Sequence, residues 1–232
     1  MTKTITITPH DALKRQFLFE NLSSQKLNEL AELVKFIKFP KGHILFKKGD
    51  IALNLILLIV GRTQNLQTTE DGKIVSVNFV EAGQCIGEIS VVDGGVHATT
   101  LVASTDIIIG LLDNNVAKHL FLSQPTITER VFQKLCHTIR HADQIQSVLT
   151  IHRAHARIYN LLLNTAKPQA NNILAISDLP TQHDIAALAN VSRETVSRAL
   201  QILIREGVIK KDTKRLIVCN VKKLEEMAKL NH

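Results

Sequence analysis

The chain has few cysteines and no long apolar run. Its 232 residues include three cysteines, Cys85, Cys136 and Cys219, and their number and spacing fit neither a disulfide framework nor a zinc site. No apolar run approaches the roughly 20 residues needed to span a bilayer, and the N-terminus lacks the apolar core of a signal peptide. We therefore expect a cytoplasmic protein with three buried free thiols and no membrane partner.

Motifs for catalysis and metal binding are missing as well. The chain contains no nucleophile–base motif, phosphate loop or paired-carboxylate pattern. A cupin-like roll needs a His-x-His pair, whereas residues 36–112 contain only His43 and His97. We therefore expect no enzymatic activity, no catalytic residue and no resident metal.

The positive charge is concentrated in the last third of the chain. The formal net charge is +7. Residues 1–150 hold 15 Lys and Arg against 14 Asp and Glu, whereas residues 151–232 hold 13 against 7. A basic excess in one region is typical of a part that meets phosphates. This excess coincides with the motif described next.

Residues 181–205 have the pattern of a helix-turn-helix. A capping box, Thr181 followed by Asp184, predicts the start of a first helix near Gln182. Asn190 suits the left-handed turn, and Ser192 is a good N-cap for a second helix. The second helix has apolar residues for its inner face, namely Val196, Ala199, Leu200 and Leu203.

The outer face of this second helix suits the reading of base edges. Arg193, Glu194, Ser197 and Arg198 share that face, because residues three and four apart are neighbours on a helix. Arg can bind guanine with two hydrogen bonds, and a carboxylate can accept one from cytosine. After Gly207, a predicted hairpin with a basic tip forms a wing for phosphate contact. The predicted DNA-binding residues are Thr181, Gln182, Ser192, Arg193, Glu194, Thr195, Ser197, Arg198, Lys210, Lys211, Lys214 and Arg215.

The rest of the chain predicts an α+β fold. Residues 10–35 read as helical, with an interruption near residues 21–24, and residues 167–172 read as a polar loop. Residues 36–112 have short apolar runs between regular turns, which predicts a small antiparallel roll or barrel. Asp71-Gly72 is a predicted hairpin turn. We expect a roll domain at 1–124, a dimerisation helix at 125–150 and a winged helix-turn-helix at 151–232.

A heptad pattern follows Pro125. Its apolar and small residues are spaced 4, 3, 4, 3 and 4 positions apart, which predicts either a parallel dimer helix or a helix packed on its own barrel. The dimer is favoured, because a helix-turn-helix protein usually needs two half-sites. The predicted seam consists of Val131, Leu135, Thr138, Ala142, Ile145 and Leu149.

Three motifs together give the chain a close resemblance to the Crp/Fnr family of bacterial transcription regulators. They are the roll signature of residues 40–42, 48–50 and Gly61, the cassette GEISVVDGG at 87–95, and SRETVSR at 192–198. The resemblance implies that residues 1–124 form a cyclic-nucleotide-binding-like sensor domain, an antiparallel β-roll of the jelly-roll, or double-stranded β-helix, type. It also implies a homodimer that binds a two-fold DNA site, with half-sites about 34 Å apart. It further implies TGTGA-like half-sites, effector-dependent reorientation of the DNA-binding domains, and recruitment or blocking of RNA polymerase.

The effector pocket departs from the pattern of the cyclic AMP binders in this family. Those proteins follow the cassette with Arg-Ser, whereas His97 and Ala98 stand here, and a mostly neutral imidazole cannot replace the Arg fork. Ala142 and Asp143 replace a Thr-Ser pair, and Glu88, which suits a ribose hydroxyl, is retained. We expect high-affinity cyclic AMP binding to be lost. The predicted pocket residues are Gly87, Glu88, Ile89, Ser90, His97, Ala98, Thr99, Thr138, Ala142 and Asp143.

Other effectors and other functions stay open at this point. The three cysteines do not form an iron–sulfur cluster motif, and a haem ligand would have to be sought among His97, His137 and His141. A cyclic dinucleotide, a metabolite, or no ligand at all are the further options, so no cofactor is assigned. Two rival functions are a cyclic AMP-dependent activator of the same fold and a sensor that acts through protein contacts.

Overall fold

The computed structural model describes residues 8–68, 74–169, 173–176, 181–212 and 215–229. The chain divides into two compact units, Met1–His137 and Thr138–His232. The predicted hairpin turn Asp71-Gly72 and the wing residue Lys214 lie outside the described residues. The three-part division at residues 124 and 150 stays a prediction.

The first unit begins with a helical segment. Helix α1 (Pro9–Lys14) is capped by Thr8, whose side chain accepts from the backbone N–H of Asp11, and a 3-10 turn, Phe17–Phe19, follows. Helix α2 (Ser24–Leu33) starts at the N-cap Ser23. The predicted interruption near residue 21 is confirmed, because Asn21 has a φ of 74°.

Two four-stranded antiparallel sheets form the rest of this roll. The strands are β1 (Lys35–Phe39), β2 (Ile44–Phe46), β3 (Asn54–Val60), β4 (Arg62–Thr68), β5 (Ile74–Glu81), β6 (Cys85–Ile86), β7 (Thr100–Ala103) and β8 (Ile107–Asp113). One sheet has the order β1-β8-β3-β6 and the other β2-β7-β4-β5. The apolar runs predicted as strands therefore form the β-roll that the turn spacing indicated.

Gly61 shows why the roll needs glycine at a signature position. Its φ is 88°, and a Cβ atom there would lie 2.3 Å from the carbonyl oxygen of Asp106 and 2.9 Å from Ile107. A larger residue would therefore force the β3–β4 turn away from the strand that begins at Ile107.

Three helices complete the first unit or continue beyond it. They are α3 (Glu88–Asp93), α4 (Asn114–Ser123) and α5 (Pro125–Leu149). The predicted long helix after Pro125 is α5. Ile127 and Val131 of α5 are 0% and 4% exposed and lie in one apolar cluster with Leu13, Phe19 and Leu55 of the same chain. Val131, placed in the predicted dimer seam, therefore packs in the core of its own roll, which is the alternative that the heptad pattern left open.

The second unit has its own core and its own small sheet. The elements after α5 are α6 (Ala154–Thr165), β9 (Lys167–Pro168), β10 (Leu174–Ile176), α7 (Gln182–Leu188), α8 (Arg193–Arg205), β11 (Ile209–Asp212), β12 (Arg215–Val218) and α9 (Val221–Lys229). The sheet has the order β11-β12-β10-β9. The apolar core of the unit includes Ile158, Leu162, Val196 and Leu203.

One local prediction in this unit needs correction. Lys167-Pro168, read as the start of a polar loop, forms a two-residue strand that pairs with β10. Proline is tolerated there because β9 is an edge strand, where its missing N–H leaves no ladder bond unmade.

Candidate nucleic-acid interface and effector pocket

The helix-turn-helix forms as its caps predict. The Thr181 side chain accepts from the backbone N–H of Asp184 at 3.2 Å, and Asp184 accepts from the backbone N–H of Thr181 at 3.0 Å. Asn190, in the turn, has a φ of 49°. The Ser192 Oγ accepts from the backbone N–H of Thr195 at 3.2 Å. Both helix starts are thus satisfied by the side chains that the sequence singled out.

Helix α8 has a buried face and an exposed polar face. Its inner face, made by Val196, Ala199, Leu200 and Leu203, is at most 8% exposed. Of the predicted base-reading residues, Arg193, Glu194 and Arg198 are exposed, and Ser197 is half-buried. The polar side chains therefore cluster at the start of an exposed helix face, as the docking of a helix N-terminus into a major groove requires.

Electrostatics keep the acidic member of this face ionised. A hydrogen bond from its own backbone N–H, a hydrogen bond from Ser192 and the nearby charges of Arg193 and Arg198 hold the pKa of Glu194 below its usual range. The carboxylate is therefore available as a hydrogen-bond acceptor at neutral pH. The remaining predicted contacts of this motif lie beside it: Thr181 and Ser192 are exposed, and Gln182 and Thr195 are half-buried.

The wing is a hairpin of β11 and β12. Ile209 pairs with Val218, and Asp212 with Arg215. Lys210 and Lys211 of β11 are exposed. Arg215 donates from Nε and Nη2 to Asp212 Oδ2, both at 2.7 Å. The sequence reading missed this pair, which ties one of the four predicted phosphate-binding cations to an acidic residue of the same hairpin.

The candidate effector pocket begins at the left-handed turn before α3. Gly87 has a φ of 94°, and a Cβ atom there would lie 3.7 Å from the His97 ring. Glu88 and Ser90 are 7% and 6% exposed, and the Ser90 hydroxyl donates to the Val96 carbonyl at 3.4 Å. The structure therefore brings Gly87, Ser90 and His97 together, whereas Ile89 points outward and is 47% exposed.

Lys134 is the residue that the sequence reading missed in this pocket. It reaches from α5 to Glu88, with 3.4 Å between Nζ and Oε1, and it donates to the Cys85 carbonyl. Its Nζ also lies 3.4 Å from the Cys85 sulfur. Glu88, the carboxylate retained for a ribose hydroxyl, thus already has a cationic partner in its own chain.

Burial and neighbouring charges explain the protonation states of Cys85 and Lys134. It raises the pKa of the Cys85 thiol to about 12, so the sulfur stays protonated at neutral pH. Burial alone would lower the pKa of Lys134, but the Cys85 sulfur and the Glu88 carboxylate outweigh that effect and hold this pKa above its usual range. Lys134 is therefore a charged ammonium in a largely buried position.

His97 is held as a buried, neutral ring. It stacks on Phe46 with 3.5 Å between ring centroids and 7° between ring planes. Burial lowers the pKa of His97, and the charge of Asp50 only partly opposes this shift. The imidazole therefore packs on an aromatic ring and does not offer a cation to an anionic ligand.

The other predicted pocket residues differ in their surroundings. Ala98 is exposed, and the half-buried Thr99 donates to Asn65 Oδ1 at 2.9 Å. Thr138, Ala142 and Asp143 lie on the part of α5 that belongs to the second unit, and each is exposed.

The described residues give no structural sign of a metal centre. Across 8–68, 74–169, 173–176, 181–212 and 215–229, no three His, Cys, Asp or Glu side chains are placed to share a metal ion. Cys85 is buried, as expected, whereas Cys136 and Cys219 are exposed, so the prediction of a buried thiol is wrong for these two. Over the same part of the chain, no helix has the length and apolar character to cross a membrane.

Comparison with known proteins finds a family match for each of two regions of the chain. Residues 36–124 match the family described as the cyclic nucleotide-binding domain, and residues 156–227 match the Crp-like helix-turn-helix domain. The CRP-like cAMP-activated global transcriptional regulator of Mycobacterium tuberculosis is 23% identical over 94% of this chain and 99% of its own length. The cyclic AMP receptor protein of Thermus thermophilus is 27% identical over 93% of this chain and 98% of its own.

Solved structures give the same match. The catabolite activator protein of Thermus thermophilus has a TM-score of 0.54 and 26% identity, covering 92% of this chain and 98% of its own. A CooA variant from Carboxydothermus hydrogenoformans has a TM-score of 0.71 at 19% identity, covering 90% of this chain and 92% of its own. The second likeness concerns the fold alone. The described relatives are transcription regulators, and no enzyme family is indicated.

Proposed function

Because the chain belongs to the Crp/Fnr family of bacterial transcription regulators, we propose that it acts as a homodimer whose two copies of α8 read a palindromic DNA site. The observation that carries this proposal is the exposed polar face of Arg193, Glu194 and Arg198 on a helix whose other face is buried. Base edges are read by the start of this helix, and the cations of the wing bind phosphates. The half-sites are TGTGA-like, and the bound protein recruits or blocks RNA polymerase in the cytoplasm.

Selection of bound sequences from random DNA tests this function. A two-fold symmetric motif with half-sites one helical turn apart is the expected result. The affinity for the selected duplex should fall steeply with salt, because phosphate contacts release counterions. If the purified dimer binds no duplex above the level of a neutral protein, the alternative of a sensor acting through protein contacts replaces this proposal.

The dimer seam on α5 is proposed with one change from the sequence prediction. Phe132 and Ile139 are 62% and 60% exposed, whereas Val131 is 4% exposed. Phe132 and Ile139 are seven residues apart, the spacing of one heptad. The one change is therefore at Val131: the proposed seam omits it in favour of Phe132 and Ile139, and it keeps the predicted seam residues Leu135, Thr138, Ala142, Ile145 and Leu149.

Sedimentation measurements test whether Ile139 belongs to the dimer seam. Ile139→Glu should leave the protein monomeric at micromolar concentration, because two carboxylates would be buried against each other. Gln144→Glu, which adds the same charge at an exposed position of α5 outside the seam, should remain dimeric. A dimeric Ile139→Glu variant would reject this assignment of the seam.

The effector pocket is proposed to have lost tight cyclic AMP binding. Three observations support this: His97 is neutral and stacked on Phe46, Ala98 carries no hydroxyl, and Glu88 is paired with Lys134. A cyclic phosphate would find no Arg fork at positions 97 and 98, and a ribose hydroxyl would compete with an ammonium group for the carboxylate.

Calorimetry with cyclic AMP decides between this proposal and a cyclic AMP-dependent activator. The latter is favoured by the similarity to the cAMP-activated regulator of Mycobacterium tuberculosis. No detectable heat of binding, together with the same DNA motif selected with and without the nucleotide, is the expected outcome. Tight binding, or a motif recovered only with the nucleotide, would establish the alternative.

A further inference from the structure

Arg157 joins two separate segments of the second unit. It lies in the first turn of α6 and donates to four backbone carbonyl oxygens. Two belong to the link between α5 and α6: Nη1 lies 2.8 Å from the Ile151 oxygen and 3.1 Å from the His152 oxygen. The other two belong to the turn of the helix-turn-helix: Nε lies 2.7 Å from the Ala189 oxygen and Nη2 lies 3.0 Å from the Asn190 oxygen.

These carbonyl groups lie where helices end. Helix α7 ends at Leu188, and Asn190 adopts a left-handed φ of 49°. Helix α5 ends at Leu149, just before the linking residues. Carbonyl groups at helix ends have no partner within the helix and need an outside donor. A planar guanidinium has five N–H donors in fixed directions and can bind four such groups at once, whereas an ammonium group has three donors and no planar fork.

The position of this turn determines where the DNA-reading helix begins. Only Val191 stands between Asn190 and Ser192, the N-cap of α8. Holding the Ala189 and Asn190 carbonyls therefore holds the start of α8, where Arg193 and Glu194 are placed. The same guanidinium holds the residues that follow α5, so the start of α8 and the end of α5 share one anchor.

We propose that Arg157 is a positioning residue for DNA recognition, which fixes the start of α8 to the link that follows α5. This inference rests on the proposed function, because it assumes that α8 reads bases. Arg157 itself contacts no base in this assignment. Its role is to keep Arg193, Glu194 and Arg198 in the geometry that a specific site requires, because a displaced helix loses directional hydrogen bonds to bases before it loses attraction to phosphates.

The test compares Arg157→Lys and Arg157→Gln with Arg153→Gln. Arg153 is an exposed residue four positions earlier and provides the matched loss of one charge. Dissociation constants are measured for the selected duplex and for random duplex at one salt concentration, below the unfolding transition of every variant. Arg157→Lys should weaken the selected site roughly tenfold and leave random duplex unchanged, because the charge is kept and the directional bonds are lost. Arg153→Gln should weaken both duplexes slightly and equally.

Base preference supplies a second readout. Repeating the selection with Arg157→Lys should broaden the selected DNA motif at all positions of the half-site. If Arg157 only stabilised the fold, the folded molecules of this variant would select the same motif as the wild-type protein. An Arg157→Lys variant with wild-type affinity and motif would overturn the proposal, as would a parallel loss on both duplexes. Failure of the wild-type protein to select any motif would instead overturn the proposed function.

Discussion

The recognition helix and the effector cassette have kept different parts of their family pattern. In α8 both the scaffold and the functional groups are present, because the inner face is buried and Arg193, Glu194 and Arg198 are exposed. In the cassette the scaffold is present, with Gly87 in its left-handed turn, but Glu88 is paired with Lys134. A fold can therefore persist where the groups that would bind a ligand have changed, and function has to be argued from those groups.

The largest expected effect comes from breaking the internal pair of the cassette. Lys134→Met leaves the buried Glu88 carboxylate without its cation, so the free energy of unfolding should fall by about 3 kcal/mol, measured by denaturant titration. Adding Glu88→Gln should recover part of this loss, because the uncompensated charge is then removed. Lys118→Met, at an exposed position of α4, is the control and should change stability little. If Lys134→Met is as stable as the control, the ion pair between Lys134 and Glu88 does not stabilise the fold.

The next effect concerns base readout by α8. Arg198→Ala should weaken binding to the selected duplex by about 1–3 kcal/mol and relax the preference at one base pair. Arg205→Ala removes the same charge from the exposed end of the same helix and should affect selected and random duplex alike. Competition binding with both duplexes gives the comparison. Equal losses on both duplexes for Arg198→Ala would show that Arg198 does not read a base.

A pH effect would sharpen the description of the roll. The folded-state pKa of Cys85, about 12, lies above the ordinary thiol pKa of 9.0, so the folded state holds a proton that the unfolded state loses first. Its contribution to stability is complete below pH 9 and should be lost between pH 9 and 12, by at most about 1.4 kcal/mol per pH unit. The raised pKa of Lys134 acts in the same direction.

Denaturant titration across this pH range measures the effect. Cys85→Ala should flatten the alkaline decline relative to the wild-type protein, while Cys136→Ala, which alters an exposed thiol, should follow the wild type. An unchanged slope in Cys85→Ala would contradict the buried, protonated state of this thiol.

The smallest expected effect belongs to the wing. Lys210→Ala should weaken binding to every duplex by a similar factor and reduce the slope of log affinity against log salt by about 1. Arg215→Ala should have a smaller effect, because Arg215 is already paired with Asp212. Salt titrations of both variants measure the difference. A larger change in slope for Arg215→Ala would mean that DNA displaces Asp212 from this pair.

Local patterns were sufficient for much of the fold. The capping box of Thr181 and Asp184, the turn at Asn190 and the buried face of α8 depend on residues a few positions apart, and each was predicted correctly. The alternating strands of the roll and the helix after Pro125 were also predicted, because hydrophobic periodicity is itself a local signal. The strand at Lys167-Pro168 was missed, since a two-residue strand has no period of its own.

The contacts that change the interpretation join residues distant in sequence. Val131 fits a heptad seam as well as an internal core, and only the packing of α5 on its roll places it in the core. Lys134 and Glu88, like Arg157 and Asn190, carry no pattern that connects them, because the distance between two side chains depends on how whole elements pack.

The amino-acid sequence was enough to predict most of the elements, the polar face of α8, and the absence of the Arg-Ser pair of the cyclic AMP binders from positions 97 and 98. These properties follow from the identity and spacing of nearby residues. The pairing of Glu88 with Lys134, the stacking of His97 on Phe46 and the anchoring of the turn before α8 by Arg157 became visible only in the packed fold. Such contacts depend on burial and on directional bonds between distant segments, and these exist only once the chain has packed.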